Sequence, residues 1–306
     1  MRDRERSPGR LAAAVACLVL AACARSAPRA GDPLAADPAP DPGYPAALVE
    51  LALESGGSHM NGIAYVAAGA GPHPTVVLLH GYPGNERNLD LAQAFRRDGW
   101  DVVFFHYRGA WGSSGDFSFE NARADVPAVL RTVRSPEFSK AKRADPQRVV
   151  LVGHSMGGFL ALMTASEDPD IRCAASIAGA NLGLLGRALV ANPDLTRTAV
   201  QRFDSWNGPI HGFDGSLAVQ SLAANADAYD LVRRAPLLTG KHLLLVAGTR
   251  DTDAPIDAHH RPLVAALRAA GAGHVEEKVM VSDHSFSDAR IALTRALVAW
   301  LDAECR

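Results

Sequence analysis

Two spacings of apolar residues alternate along most of this chain. Short uninterrupted apolar runs predict strands buried on both faces, and stretches with apolar residues every three or four positions predict helices. Strands are predicted at residues 48–54, 59–67, 75–79, 101–107, 149–152, 173–178, 242–247 and 275–281, and helices at 88–97, 121–133, 158–166, 257–270 and 285–303. This order predicts an α/β protein with a mostly parallel, doubly wound sheet that binds its ligands at the carboxyl ends of the strands.

One region interrupts the alternation. Residues 181–240 contain several short helix-like stretches separated by turn residues, and no strand-like run. The strand–helix order resumes at residue 242. We therefore expect a helical insertion between the sixth and seventh strands.

The N-terminus has an export pattern. Four arginines within the first ten residues precede a short apolar run that ends in small residues. This order predicts a signal peptide, and the run is too short to span a bilayer comfortably. Moreover, Leu20-Ala21-Ala22-Cys23 resembles the lipobox of bacterial lipoproteins, which implies that residues 1–22 are removed and Cys23 is acylated. An ordinary secretory signal is the alternative.

The next segment has a tether-like composition. Residues 23–45 hold six prolines among mostly small and polar residues. Such a segment buries too little apolar surface to fold, so we expect a semi-extended tether that holds a domain of residues 46–306 away from a membrane. The formal net charge of −2 gives no reason to expect a nucleic-acid partner.

One motif points to covalent catalysis. Directly after the strand at 149–152 the chain reads Gly153-His154-Ser155-Met156-Gly157, and a helix follows. This G-x-S-x-G match lies where a nucleophile elbow requires it, because so sharp a turn leaves no room for side chains two residues before or after the serine. The turn also directs the Met156 N–H and the helix dipole toward an oxyanion at Ser155.

A nucleophilic serine needs a base, and the base needs an orienting acid. In this architecture the acid and then the histidine follow the serine, each at the end of a strand. Asp251 and Asp253 follow the strand at 242–247, and His284 follows the strand at 275–281. We expect Asp251 to orient His284 because it lies nearer the strand end, and Asp253 to cap the turn or the next helix. The alternative for His284 is a cap of the last helix.

The remaining histidines and cysteines suggest no further chemistry. We expect His154 to pack, and His259 and His260 to lie mid-helix and face solvent. Cys173 is expected to be a small buried residue that is not paired with Cys305, although an exported protein permits a disulfide between them as the alternative. No Cys/His cluster has zinc spacing, and no Lys-Ser/Thr pair follows the glycines as in a phosphate loop, so neither a metal nor a cofactor is predicted.

These motifs make residues 46–305 resemble an α/β-hydrolase of the serine hydrolase superfamily. His80-Gly81-Tyr82-Pro83 is similar to the HGxP oxyanion loop, which implies that the Tyr82 and Met156 N–H groups bind the oxyanion. Residues 107–115 resemble a pocket-wall loop of esterase-like and peptidase-like relatives. The resemblance makes residues 181–240 a cap inserted after the sixth strand. Its large aromatic residues either line the pocket or pack the cap onto the body: Phe203, Trp206, Phe213 and Tyr229.

The sequence thus predicts an exported, lipid-anchored serine hydrolase that acts on a small carboxylester. A peptidase or amidase on the same triad is the nearest alternative, and an acyltransferase is another. A peptidase that removes N-terminal units would need an acidic group for the substrate amine, for which the cap offers Asp204, Asp214, Asp227 and Asp230. A non-catalytic binding protein of the same fold is the alternative outside the enzymes.

Overall fold

The computed structural model describes residues 31–306, so the predicted signal peptide and Cys23 lie outside the described residues. Eight strands form one sheet in the order β1-β2-β4-β3-β5-β6-β7-β8. β1 and β2 are antiparallel to each other, β2 is antiparallel to β4, and the other neighbours are parallel. The strands are β1 Ala47–Ser55, β2 Ser58–Val66, β3 His73–Leu79, β4 Asp101–Phe105, β5 Ala144–His154, β6 Cys173–Ile177, β7 His242–Gly248 and β8 Val275–Met280.

Helices cover both faces of the sheet. They are α1 Leu89–Arg97, α2 Phe119–Val133, α3 Pro136–Lys142, α4 Met156–Glu167, α5 Leu182–Ala191, α6 Pro193–Ser205, α7 Gly215–Ala224, α8 Leu231–Arg234, α9 His260–Ala269 and α10 Arg290–Glu304. One apolar cluster joins the sheet to α1 and α10, and a second joins it to α2, α4 and α9. All residues of β3, β4 and β6 are buried, as expected of strands covered on both faces.

The architecture confirms the α/β-hydrolase fold, with α5 to α8 forming a helical cap between β6 and β7. Several local predictions differ from the structure; for example, β5 begins at Ala144 rather than at residue 149. α10 begins at Arg290 rather than at residue 285. α3 was not predicted, because this seven-residue helix buries only Phe138 and shows no apolar period.

The prediction for the cysteines is wrong, since Cys173 and Cys305 form a disulfide. Cys173 begins β6, and Cys305 directly follows α10. Their Cα atoms lie 6.0 Å apart although 132 residues separate them along the chain. Only the packing of α10 on the sheet brings them together, which no local pattern encodes.

Residues 31–45 are the described part of the segment predicted as a tether, and they contact the domain of residues 46–306. Leu34 packs against the apolar cluster under α1 and α10. The carbonyl of Tyr44 accepts a hydrogen bond of 2.9 Å from the Gly69 N–H. A few apolar and backbone contacts thus hold a segment whose composition alone predicts no folded structure. None of the described helices is long and apolar enough to cross a membrane.

Candidate active site

Ser155 lies in a strained turn between β5 and α4. Its φ of 57° and ψ of −119° belong to a region that residues with side chains rarely adopt. The turn is possible because its neighbours approach without side chains. A Cβ on Gly153 would collide with the carbonyl of Gly157, and a Cβ on Gly157 would collide with the carbonyl of Leu79. The local geometry is therefore that of a nucleophile elbow.

The Ser155 turn opens into a cleft of about 240 Å³ at the carboxyl ends of the strands. His284 lies in the same cleft, and Asp251 lies behind it. The apolar wall is formed by Met156, Phe119, Leu182, Leu185, Phe203 and Trp206, and the polar wall includes Asn85, Glu86, Asp253 and Ser285. A serine and a histidine thus share one partly apolar cleft under the cap.

Asp251 holds His284 in one orientation. His284 Nδ1 lies 2.7 Å from Asp251 Oδ2. The other carboxylate oxygen of Asp251 accepts hydrogen bonds of 2.8 Å from the N–H groups of Asp253 and Ala254. Because a carboxylate accepts, Nδ1 carries the proton of the neutral imidazole and Nε2 is left as an acceptor. Among the described hydrogen bonds, none joins Ser155 Oγ to His284; such bonds often form fully only when substrate is bound.

His154 supports the loop that carries His284. Its Nε2 donates a 2.9 Å hydrogen bond to the His284 carbonyl, and the two ring centroids lie 4.7 Å apart. Burial, followed by the nearby His284 side chain, lowers the pKa of His154 to about 3. His154 is therefore a neutral packing group at moderate pH, in agreement with the sequence prediction.

The loop after β3 lies against the Ser155 turn. A Cβ added to Gly81 would come within 2.9 Å of Ser155 Cβ. Gly81 and Tyr82 both line the cleft, as does Met156, the first residue of α4. The N–H of a first helical residue has no acceptor within its helix. The structure thus brings both residues with a predicted oxyanion role to the cleft that holds Ser155.

Two histidines whose role sequence reasoning missed, the buried His80 and the partly buried His106, hold this loop. His80 Nδ1 donates a 2.6 Å hydrogen bond to the Gly81 carbonyl. Since that carbonyl and the Tyr82 N–H belong to one planar peptide group, the bond also fixes the direction of the N–H. His106 Nδ1 lies 3.2 Å from His80 Nε2. Burial lowers the pKa values of His80 and His106 to about 3 and about 4, so both are neutral above those values.

A sequence signal for this pair existed. His80 and His106 directly follow β3 and β4, whose carboxyl ends meet at one edge of the sheet.

Residues 107–115 were expected to form a wall of the pocket. None of them lines the described cleft, so they lie behind its wall. Trp111 Nε1 donates a 2.7 Å hydrogen bond to the carbonyl of Pro83, which does line it.

The prediction that His259 and His260 face solvent is wrong. Only 6% of His259 and 9% of His260 is exposed. His259 is the N-cap residue of helix α9, and its Nδ1 accepts a 3.0 Å hydrogen bond from the Asn181 N–H. His260 Nε2 lies 2.9 Å from Glu277 of β8. Paired polar atoms make the burial of both rings favourable, a feature that helical spacing does not reveal.

The cap aromatics divide into two pairs. Phe203 and Trp206 line the cleft from α6 and its end. Phe213 packs instead against Phe117 with ring centroids 5.1 Å apart, and Tyr229 packs against Phe159 at 5.4 Å. Phe203 and Trp206 therefore line the pocket, whereas Phe213 and Tyr229 pack the cap onto the body.

The four aspartates of the cap that were candidates for an amine site serve the cap itself. Asp204 and Asp214 accept hydrogen bonds from the N–H groups at the start of α7. Asp227 and Asp230 form ion pairs with Arg187. None of the four lines the described cleft.

Comparison with known proteins agrees with the fold. A family model described as the alpha/beta hydrolase family matches residues 76–288. The chain therefore belongs to the alpha/beta hydrolase family. The matched region extends from β3 to the segment after β8 and includes Ser155, Asp251 and His284.

Individual relatives are more distant. An esterase of Pyrococcus furiosus is 18% identical, with a TM-score of 0.63 over 86% of this chain and 93% of that one. An acylaminoacyl peptidase of Pyrococcus horikoshii is 16% identical, with a TM-score of 0.64 over 85% of this chain and 42% of that one. These likenesses show a shared fold.

A curated relative matches a smaller region. It is an uncharacterized 31.7 kDa protein in the traX-finO intergenic region of Escherichia coli, 31% identical over 107 residues. The match covers 34% of this chain and 36% of the relative, so the chain spans about a third of that protein's length.

Proposed function

We propose that this protein is a serine hydrolase that cleaves small carboxylesters through an acyl-enzyme at Ser155. The observation that carries the proposal is the strained Ser155 turn, which shares a cleft with His284 while Asp251 holds His284 Nδ1 at 2.7 Å. Ser155 and His284 line one cleft although 129 residues separate them, and Asp251 contacts His284, which supports acyl transfer through these three residues.

The chemistry follows from that arrangement. Ser155 Oγ attacks the ester carbonyl and its proton passes to His284 Nε2, which then protonates the departing alcohol. Asp251 keeps Nδ1 protonated and so leaves Nε2 free to accept. The N–H groups of Tyr82 and Met156 stabilise the oxyanion, a contribution of about 3–4 kcal/mol for each donor. Water then releases the acid, with His284 acting as base once more.

The cleft favours a small substrate with an apolar acyl group. Its volume of about 240 Å³ is below the roughly 300–1,000 Å³ of sites for drug-sized ligands. Phe203, Trp206 and Leu185 form an apolar surface on the side of the cap. An acyl chain of a few carbons fits this surface.

The peptidase alternative has less support. An aminopeptidase needs an unpaired carboxylate for the substrate amine, and the four candidate aspartates of the cap lie outside the described cleft. Of the two acidic residues that line it, Asp253 forms an ion pair with Arg202, and Glu86 accepts a 2.7 Å hydrogen bond from the Asn88 N–H. The structural likeness to an acylaminoacyl peptidase extends to the fold alone.

Export and anchoring are part of the same proposal. The lipobox-like sequence ending at Cys23 favours a cell-envelope lipoprotein, and the Cys173–Cys305 disulfide is typical of proteins outside the cytoplasm. If Cys23 is acylated, Cys23→Ser should abolish incorporation of a fatty-acid analogue. Absence of label in the unaltered protein would leave only a secretory signal.

Hydrolysis of p-nitrophenyl esters tests the proposed function. We expect turnover of the acetate and butyrate esters, little turnover of aminoacyl p-nitroanilides, and loss of esterase activity in Ser155→Ala. Ser285→Ala is the matched control. Ser285 is another serine that lines the cleft, but it does not lie on the strained turn between β5 and α4. Equal activity of Ser155→Ala and the unaltered protein would contradict the proposal.

A further inference from the structure

A cluster of two histidines and a glutamate lies near the amino end of β7, away from the cleft at the carboxyl ends of the strands. His242 Nδ1 lies 2.6 Å from Glu304 Oε2, and the His242 and His274 rings stack with centroids 4.2 Å apart. One ring nitrogen of each histidine and one carboxylate oxygen of Glu304 all lie within 4.8 Å of one another. Among the described residues, two imidazoles and a carboxylate thus lie close together.

We propose that His242, His274 and Glu304 bind one zinc ion. Two histidines and a glutamate are a donor set that zinc commonly takes, with a water as the fourth ligand. Bonds of about 2.0–2.1 Å in a tetrahedral site put the ligand atoms roughly 3.3 Å apart. The two rings are stacked with an angle of 26° between their planes, so one of them must turn out of the stack before both ring nitrogens can face one ion. The His274 and Glu304 side chains are exposed and have room to reorient.

The backbone fixes all three positions before any ion binds. His242 begins β7 and pairs with Cys173 of β6. Glu304 precedes Cys305, whose disulfide to Cys173 holds the end of α10 beside that pair. The His274 carbonyl accepts a 2.8 Å hydrogen bond from the Leu243 N–H. A metal would therefore meet ligands whose main chain is already ordered, which lowers the entropy cost of binding.

The cluster is separate from the cleft. His242 begins β7, whereas Asp251 follows the other end of this seven-residue strand, roughly 20 Å away. Zinc here would link α10 to β7 and to the segment before β8, so we expect it to stabilise the fold without joining the ester reaction. The sequence did not predict the site because its ligands are separated by about thirty residues each and form no local zinc motif.

Zinc titration of the full chain tests the proposal. The protein is purified without a polyhistidine tag, freed of metal with a chelator and titrated with zinc chloride in a calorimeter. We expect one zinc per chain and a rise in melting temperature on binding. His274→Ala and Glu304→Gln should each weaken binding at least about tenfold, since loss of even an outer-shell partner costs about 10–100-fold.

His211→Ala is the matched control, because His211 is an exposed histidine beside the carboxylate of Asp116. It should bind zinc like the unaltered protein. Circular dichroism verifies that each variant is folded. Absence of stoichiometric zinc binding would overturn the proposal, as would equal affinities in His274→Ala, Glu304→Gln and His211→Ala. His242 and Glu304 would then form a hydrogen-bonded pair only.

Discussion

Different contacts stabilise the two regions of this hydrolase: the body, which is the sheet with its flanking helices, and the cap, which is α5 to α8. In the body, β3, β6 and residues 149–154 of β5 are buried, and Gly153 and Gly157 touch backbone where no side chain would fit. In the cap, α6 has no buried residue. It contacts the cleft loops through the Arg202–Asp253 ion pair, and Asn207 just after it accepts a hydrogen bond from Tyr82. We infer that the body fixes the reacting groups and the cap selects the substrate.

The largest expected effect belongs to the body. His284→Ala should lower kcat for a small activated ester about 10⁴–10⁶-fold, because nucleophile and base act as a unit. The measurement is steady-state hydrolysis of p-nitrophenyl acetate beside Ser155→Ala. Nearly full activity in His284→Ala would remove His284 from the mechanism. Phe203→Ala in the cap should retain most of the activity toward the same acetate.

The next effect separates two aspartates on one loop. Asp251→Asn should reduce kcat about 10⁴-fold, because an amide no longer holds His284 in the required tautomer. Asp253→Asn removes only the ion pair to the cap, so its effect should stay below about tenfold. The same assay decides the ranking. A larger loss in Asp253→Asn would mean that Asp253 is the orienting acid.

A third prediction contrasts buried and exposed carboxylates. Burial raises the pKa of Asp101 in β4 to about 7, above its ordinary value of 3.8. The folded state therefore binds more protons than the unfolded chain between about pH 4 and 7, and this group lowers stability as pH rises through that window. Asp101→Asn should gain stability over the unaltered protein across the window, by at most about 4 kcal/mol.

Urea unfolding at pH 5 and pH 8 measures this difference. The control is Asp194→Asn, whose carboxylate is exposed on α6 of the cap. It should leave the pH dependence unchanged. If Asp101→Asn has the same pH dependence as the unaltered protein, the buried carboxylate does not titrate in this window.

The smallest effect belongs to the cap. Phe203→Ala and Trp206→Ala should change the ratio of kcat/KM for an eight-carbon over a two-carbon ester by about tenfold, since both line the cleft. Phe213→Leu should leave the ratio unchanged, because Phe213 packs against Phe117 and Phe119. If the ratio is unchanged in all three variants, the cap packs on the body without selecting substrates.

The sequence predicted the body better than the cap. The strands of the body and the loops that carry Ser155, Asp251 and His284 follow from local apolar patterns and turn motifs. The Cys173–Cys305 disulfide and the burial of His259 depend instead on contacts between distant segments. In the cap, the sequence could not assign Phe203 to the cleft and Phe213 to packing, because which way each ring faces depends on how α6 and α7 lie on the body.

Labelling with a fluorophosphonate tests the central claim most directly. An activated serine displaces fluoride from phosphorus and stays covalently bound, so the modified residue can be identified by peptide mass spectrometry. We expect one label per chain on Ser155, no label in Ser155→Ala, and undiminished labelling in Ser285→Ala. Failure of the folded protein to react, or a label on a different serine, would contradict the assignment of Ser155 as the nucleophile.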